Sequence, residues 1–379
     1  MKCAIVRELD SLDALLRQNG QLNCSVIQGL DLSKADLDWN TLSCDGAIFL
    51  GCTFPAGVGV CELSDKGALV FPSFNGLPYH SYRSKLYSRE ELMDGWNPEE
   101  DLSLDKRIYD HFVTHGKTSP DIVEALAERL HDHAIDDAMT DLLEGRVEGD
   151  GHKKVVAVMG GHGTSRADKW FRKVAHLTRR LTIEGYFIAS GGGPGMMEAA
   201  NLGAYLAGIS VEELDAVIDD LAAAPVYTSD GYVDAAQKVI DRYPTGYSSL
   251  AVPTWFYGHE PTNLFSGHVA KYFSNSIRED GLLAIAQHGI IFSPGSAGTT
   301  QEIFQDATQN HYATFENISP MVFLSKERYT KETSIWPTLN HLAEGRDYHR
   351  YLCLSDEVEE VVQFIKDHPP VPSSGMPVK

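Results

Sequence analysis

Two glycine-rich segments hold the residue types best suited to chemistry: Ser190-Gly-Gly-Gly-Pro-Gly-Met-Met-Glu198 and Ser293-Pro-Gly-Ser-Ala-Gly-Thr-Thr-Gln-Glu302. Each follows an apolar run and opens a stretch of helical spacing. Glycine lets the backbone approach a ligand closely, and the unpaired N–H groups of a first helical turn attract an anion. A glycine-capped turn alone would explain one such segment. Two in succession point to a phosphate-bearing small molecule held between two strand-to-helix turns. Its contacts would come from Gly192, Gly193 and Gly195 in the first segment. In the second they would come from Gly295, Ser296, Ala297, Gly298, Thr299 and Thr300.

Several familiar chemistries are excluded by spacing. Met196 stands where a dinucleotide fingerprint needs its third glycine, and neither segment carries the Gly-Lys-Ser/Thr of an NTP-hydrolysing loop. Gly295-Ser-Ala-Gly298 is one residue short of a hydrolase elbow. His259-Glu260 is followed by Asn263 instead of a second histidine, so it is no zinc-protease motif.

What remains is a carboxylate beside a phosphate site. Glu302 belongs to a polar stripe of Thr299, Glu302, Asp306 and Gln309 at helical spacing, with Ile303, Phe304 and Ala307 facing away. Such a stripe is either a solvated face or a pocket wall. Because it starts on the glycine loop, a pocket wall is expected. A fixed negative charge there would stabilise positive charge developing on a sugar. Glu198 suits either a helix cap or a ribose contact, and Arg166 either a phosphate contact or the surface. Glu260 and Asn263, after Trp255-Phe-Tyr257, would border a base or sugar. The triplet His131-Asp132-His133 holds metal-ligand types, but neighbouring helical residues point to different faces, so no metal site is expected.

The elements that position these residues alternate. Short apolar runs near residues 3–6, 24–27, 46–50 and 68–71 read as strands of a small α/β domain over residues 1–90. Residues 91–150 read as a helical linker region, with an amphipathic helix over 121–144. From residue 151 to 345, continuous apolar strands (155–159, 186–190, 249–252, 289–292, 321–324) alternate with helices, including a mostly helical stretch over 267–286. That pattern implies a parallel sheet covered on both faces. Residues 346–379 read as a last helix and a tail.

The chain has 379 residues and a formal net charge of −21, which repels phosphate backbones and anionic lipid. Nucleic acid and membrane are therefore not expected partners. Residues 1–10 carry charges around a short apolar stretch and do not read as a signal peptide. Six cysteines without a Cys-x-x-Cys pair fit reduced thiols of a cytoplasmic protein.

The paired segments resemble the GGGxxGxM and PGGxGTxxE motifs of the LOG family of Rossmann-like phosphoribohydrolases, formerly labelled lysine decarboxylases. The Pro-Gly-Met-Met-Glu continuation and Glu260-Pro-Thr-Asn263 are closer to its larger bacterial members, nucleotide 5′-monophosphate nucleosidases. The resemblance spans roughly residues 155–324. It implies a doubly wound parallel sheet preceded by a smaller α/β domain. The implied reaction cleaves the N-glycosidic bond of nucleoside 5′-monophosphates, giving free base and ribose 5-phosphate, with no metal or redox cofactor. It further implies Glu302 and Arg278 as the catalytic pair, with Arg278 holding Glu302 ionised, and a homodimer or higher homo-oligomer. Ser296 stands where the motif has its second glycine. A different class with a related fold is a nucleotide-binding or molybdenum-cofactor carrier that turns nothing over.

Overall fold

The computed structural model describes residues 4–147 and 149–372, and the chain divides into two units: residues 1–86 with 111–139, and residues 87–110 with 140–379. The stretch 91–150 is thus shared between them. The start of the first expected strand at Cys3 and the end of the tail, 373–379, lie outside the described residues.

The first unit is built on β1 (Ala4–Val6), α1 (Leu9–Asn19), β2 (Ser25–Gln28), β3 (Ile48–Leu50), α2 (Val60–Asp65) and β4 (Leu69–Phe71). Its four strands form one parallel sheet in sequence order. Leu12, Ile27, Phe49 and Leu63 make its core with Trp39. Three helices follow in the chain: α3 (Arg89–Leu92), α4 (Leu104–Thr114) and α5 (Ile122–Leu143).

The second unit continues with β5 (Val155–Met159), α6 (Lys169–Ile183), β6 (Phe187–Ser190), α7 (Met196–Tyr205), α8 (Val211–Leu221), α9 (Tyr232–Arg242), β7 (Leu250–Ala251) and β8 (His268–Val269). Then come α10 (Asn275–Ile285), β9 (Ile290–Phe292), α11 (Ala297–Tyr312), β10 (Asn317–Ile318), β11 (Met321–Leu324), α12 (Ile335–Ala343), β12 (Leu352–Ser355), α13 (Val358–Asp367) and β13 (Val371–Pro372). Seven strands form a parallel sheet in the order β12-β11-β9-β5-β6-β7-β8, while β10 and β13 pair apart from it. This is a doubly wound, Rossmann-like sheet: the chain leaves β5 towards one edge, returns to β9 beside it, and proceeds to the other edge.

Strands buried on both sides explain the continuous apolar runs. Val156, Val158, Ile188 and Val322 pack with Phe171 and Leu177 of α6, Leu202 of α7, and Val361 and Ile365 of α13. The opposite face carries the Phe292–Phe323 pair, 5.4 Å between ring centroids, under Tyr329 and Trp336. The expected helix over 267–286 is corrected. His268–Val269 forms the edge strand, because its backbone is taken by Ser249 on one side and by Tyr87 on the other, and the helix begins at Asn275. After residue 346, β12 adds an unexpected strand to the opposite edge. Among the described residues, no helix is long and apolar enough to cross a membrane.

Candidate functional site

Because β6, β5 and β9 are neighbouring parallel strands, the segments that follow them leave the same end of the sheet side by side. The main chain stitches them together. Met196 N–H donates to Gly161 O at 3.1 Å, and Gly161 N–H donates to Pro294 O at 3.0 Å. The site therefore has three loops: the two glycine segments and the Gly160–Gly161 turn between them, at the point where strand order reverses. Gly195 (φ 69°) lies against the middle loop, where a Cβ would stand 2.5 Å from Gly161 O. Gly192, Gly193 and Gly195 are buried. In the second segment Ser296, Ala297 and Gly298 are exposed, and α11 starts with no side-chain cap. A Cβ on Gly298 would meet nothing within 4 Å. Thr299 is buried against Gly295, and the Thr300 hydroxyl is committed to Ser296 O at 2.9 Å.

Glu302 and Arg278 join the two glycine segments. Glu302 Oε1 lies 3.8 Å from Arg278 Nη1. The Arg278 side chain crosses from α10 to the loop after β6. Its Nε donates to Val252 O at 2.9 Å, and Nη2 stands 2.6 Å from where a Gly191 Cβ would be. A second carboxylate, Glu279, lies 3.9 Å from Nη1 and accepts from Gln301 at 2.7 Å. Arg278 favours the ionised form of Glu302, as the resemblance implies. Burial outweighs the guanidinium and Glu279 adds repulsion, so the Glu302 carboxyl is pushed up to about 7. That range suits a proton acceptor or donor near neutrality.

The stripe below Glu302 is interior. Thr299, Glu302 and Asp306 are all buried, and burial holds the Asp306 carboxyl far above its usual range.

The segment between β7 and β8 closes the other side. A Cβ on Gly193 would stand 2.6 Å from Glu260 Oε2, so this carboxylate lies on the first glycine loop. Asn263 acts as an anchor, donating to Asn201 Oδ1 at 3.0 Å and accepting from Phe265 N–H at 3.1 Å. Gly192, Thr254, Glu260, Thr262 and Lys271 help line a narrow cleft with room for about one water molecule. Beneath it the buried Asp105 accepts from Lys271 at 2.7 Å, Trp255 Nε1 at 2.7 Å and Thr262 Oγ1 at 3.0 Å. Of the aromatic run, Trp255 is buried and Tyr257 is 70% exposed.

Arg166 and Glu198 are spent on each other. Arg166 Nε donates to Glu198 Oε2 at 2.8 Å, with a second bond from Nη2 to Oε1, and the Tyr232 hydroxyl donates to Glu198 at 2.7 Å. Arg166 is 1% exposed and Glu198 3%. The phosphate and ribose readings of these two side chains give way to a buried ion pair joining the connection after β5 to α7 and α9.

Sequence reasoning passed over five participants. Glu279 sits directly after Arg278, where adjacency was the available signal. Arg328, in a π-helical turn after β11, donates to Gly295 O at 2.6 Å, and the Tyr329 hydroxyl donates to Ser293 O at 2.8 Å. Lys271 and Asp105, 166 residues apart, gave no local signal.

No protein-family model matches the sequence, and no curated protein matches it either. Solved structures do. The molybdenum cofactor binding protein of the phototrophic bacterium Rippkaea orientalis is 13% identical, with a TM-score of 0.36, covering 57% of this chain and 97% of its own. The Moco carrier protein of Chlamydomonas reinhardtii is 15% identical, with a TM-score of 0.35 and 57% and 97% covered. The structural-genomics target TM1055 is 19% identical, with a TM-score of 0.35 and 57% and 99% covered. The chain is similar to these in part of its length.

Proposed function

We propose that the second unit is a phosphoribohydrolase acting on nucleoside 5′-monophosphates. One observation carries the reading: Arg278 lies 3.8 Å from Glu302 and reaches the first glycine loop, so an acid–base group would stand beside the proposed phosphate seat. In the reaction, water attacks C1′ of the ribose and the bond from C1′ to the base nitrogen breaks. Its electron pair leaves with the base, and the transition state has oxocarbenium character. The ionised Glu302 carboxylate stabilises the sugar's developing positive charge and takes the proton of the attacking water, while the departing base nitrogen takes up a proton from solvent. Arg278 holds Glu302 in place and meets the nucleotide. The N–H groups of the two glycine loops hold the 5′-phosphate, and Glu260 faces the sugar or base. A homodimer or larger assembly belongs to the same reading.

The test incubates the full chain with AMP, CMP, GMP, UMP and a cytokinin monophosphate, and follows free base and ribose 5-phosphate by chromatography. Release from at least one substrate, abolished by Glu302→Gln in a folded variant, is the expected result. Saturable binding with no base release would overturn catalysis and place the chain with ligand carriers.

A further inference from the structure

Three ligand-type side chains meet in the unit built from residues 1–86 and 111–139. His111 lies near the end of α4, His115 one turn later, and Glu124 in the first turn of α5. The connection folds back tightly: Lys117 N–H donates to Phe112 O at 3.0 Å, and Asp121 Oδ1 caps α5 through Val123 and Glu124 N–H at 2.8 and 3.0 Å. The two imidazoles stack, with centroids 3.9 Å apart. His111 Nε2 is 3.2 Å from both Glu124 oxygens. His115 Nδ1 lies 2.9 Å from His111 O; a carbonyl only accepts, so Nδ1 carries the hydrogen and Nε2 keeps its lone pair. A ligating histidine is commonly oriented by such a bond from its other nitrogen.

We propose that His111, His115 and Glu124 bind one divalent transition-metal cation, zinc as the expected occupant, with water completing the site. Two ligands about 2.0–2.1 Å from a tetrahedral zinc stand about 3.3 Å apart, close to the nitrogen–oxygen separations present here. The third ligand atom lies within 4.8 Å of the others. Two imidazoles and one carboxylate suit zinc, whereas calcium and magnesium prefer oxygen. The adjacent triplet does not converge in this way. His131 is fully buried edge-on to Tyr79, and His133 is exposed and pairs with Asp137. An occupied site would clip the end of α4 to the start of α5.

The test strips the full chain with chelator, titrates Co²⁺ while recording visible absorption, then displaces it with Zn²⁺. The expected result is one saturable equivalent, with affinity weakened tenfold or more by His115→Ala and by Glu124→Gln. His341→Ala, at an exposed histidine beside Glu344, should leave it unchanged. No saturation at one equivalent, or equal affinity in His115→Ala and Glu124→Gln, would mean an adventitious ion only and overturn the proposal.

Discussion

Glu302 has a carboxyl raised from 4.5 to about 7. A group raised on folding binds its proton more tightly in the native state, so it contributes stability fully below about pH 4.5. That contribution is lost as pH rises through about 7, and amounts to about 3 kcal/mol. Asp306, raised in the same direction by burial alone, steepens the decline. Denaturant midpoints should therefore fall between about pH 4.5 and 7 and above, and Glu302→Gln should flatten part of that slope. Activity should run the opposite way if the ionised carboxylate accepts the water's proton. Below about pH 7, kcat/KM should drop about tenfold per pH unit, and Glu302→Gln should lower it a hundredfold or more at neutral pH. A pH-independent rate, measured by base release, would remove this proton transfer from the mechanism. Glu302 itself was legible because it lies a fixed four residues beyond Gly298. Its partner's limited grip was not, since desolvation depends on what Ile303 and the rest of α11 are buried against.

At the scale of elements, the strand–loop–helix units around both glycine segments could be read locally, because glycine, apolar runs and helical spacing all fall within a few residues. The two-residue strands β7 and β8 could not: they are too short to show periodicity and exist through pairing with each other, Ser249 and Tyr87. The Arg166–Glu198 and Asp105–Lys271 pairs were hidden for the same reason, being joined only by the folded chain. The second pair anchors the segment carrying Glu260. Replacing Lys271 by Met leaves the Asp105 carboxylate buried without its cation and should cost about 3–5 kcal/mol, while raising KM through the loosened segment. Lys271→Met with Asp105→Leu should recover part of the stability in urea denaturation, because an apolar pair leaves no charge stranded. In the first loop, Gly191→Ala should displace the Arg278 guanidinium and reduce turnover tenfold or more, with a smaller change in thermal midpoint.

For the molecule as a whole, the formal charge of −21 opposes the arrival of an anionic ligand. Glu279 and Glu302 add carboxyl groups beside Arg278, and Glu260 adds one on the first glycine loop. Raising ionic strength from about 0.01 M to about 0.15 M shortens the screening length about fourfold, so KM for a nucleoside monophosphate should fall as salt is added. A KM that rises instead would mean that local donors, not net charge, govern encounter. The fold class followed from the alternating pattern along the chain. The parting of residues 91–150 between two units did not, because no composition break marks it.

The hydrogen bonds that run from Met196 to Gly161 and from Gly161 to Pro294 belong to the peptide backbone. Most point changes leave such links untouched, so an anion would meet a seat already set, with little ordering left to do on arrival. Selectivity is the freer variable. The stretch around Glu260, held through the side chains of Thr262, Asn263 and Lys271, is where altered preference for one base over another would arise without disturbing the proposed phosphate seat.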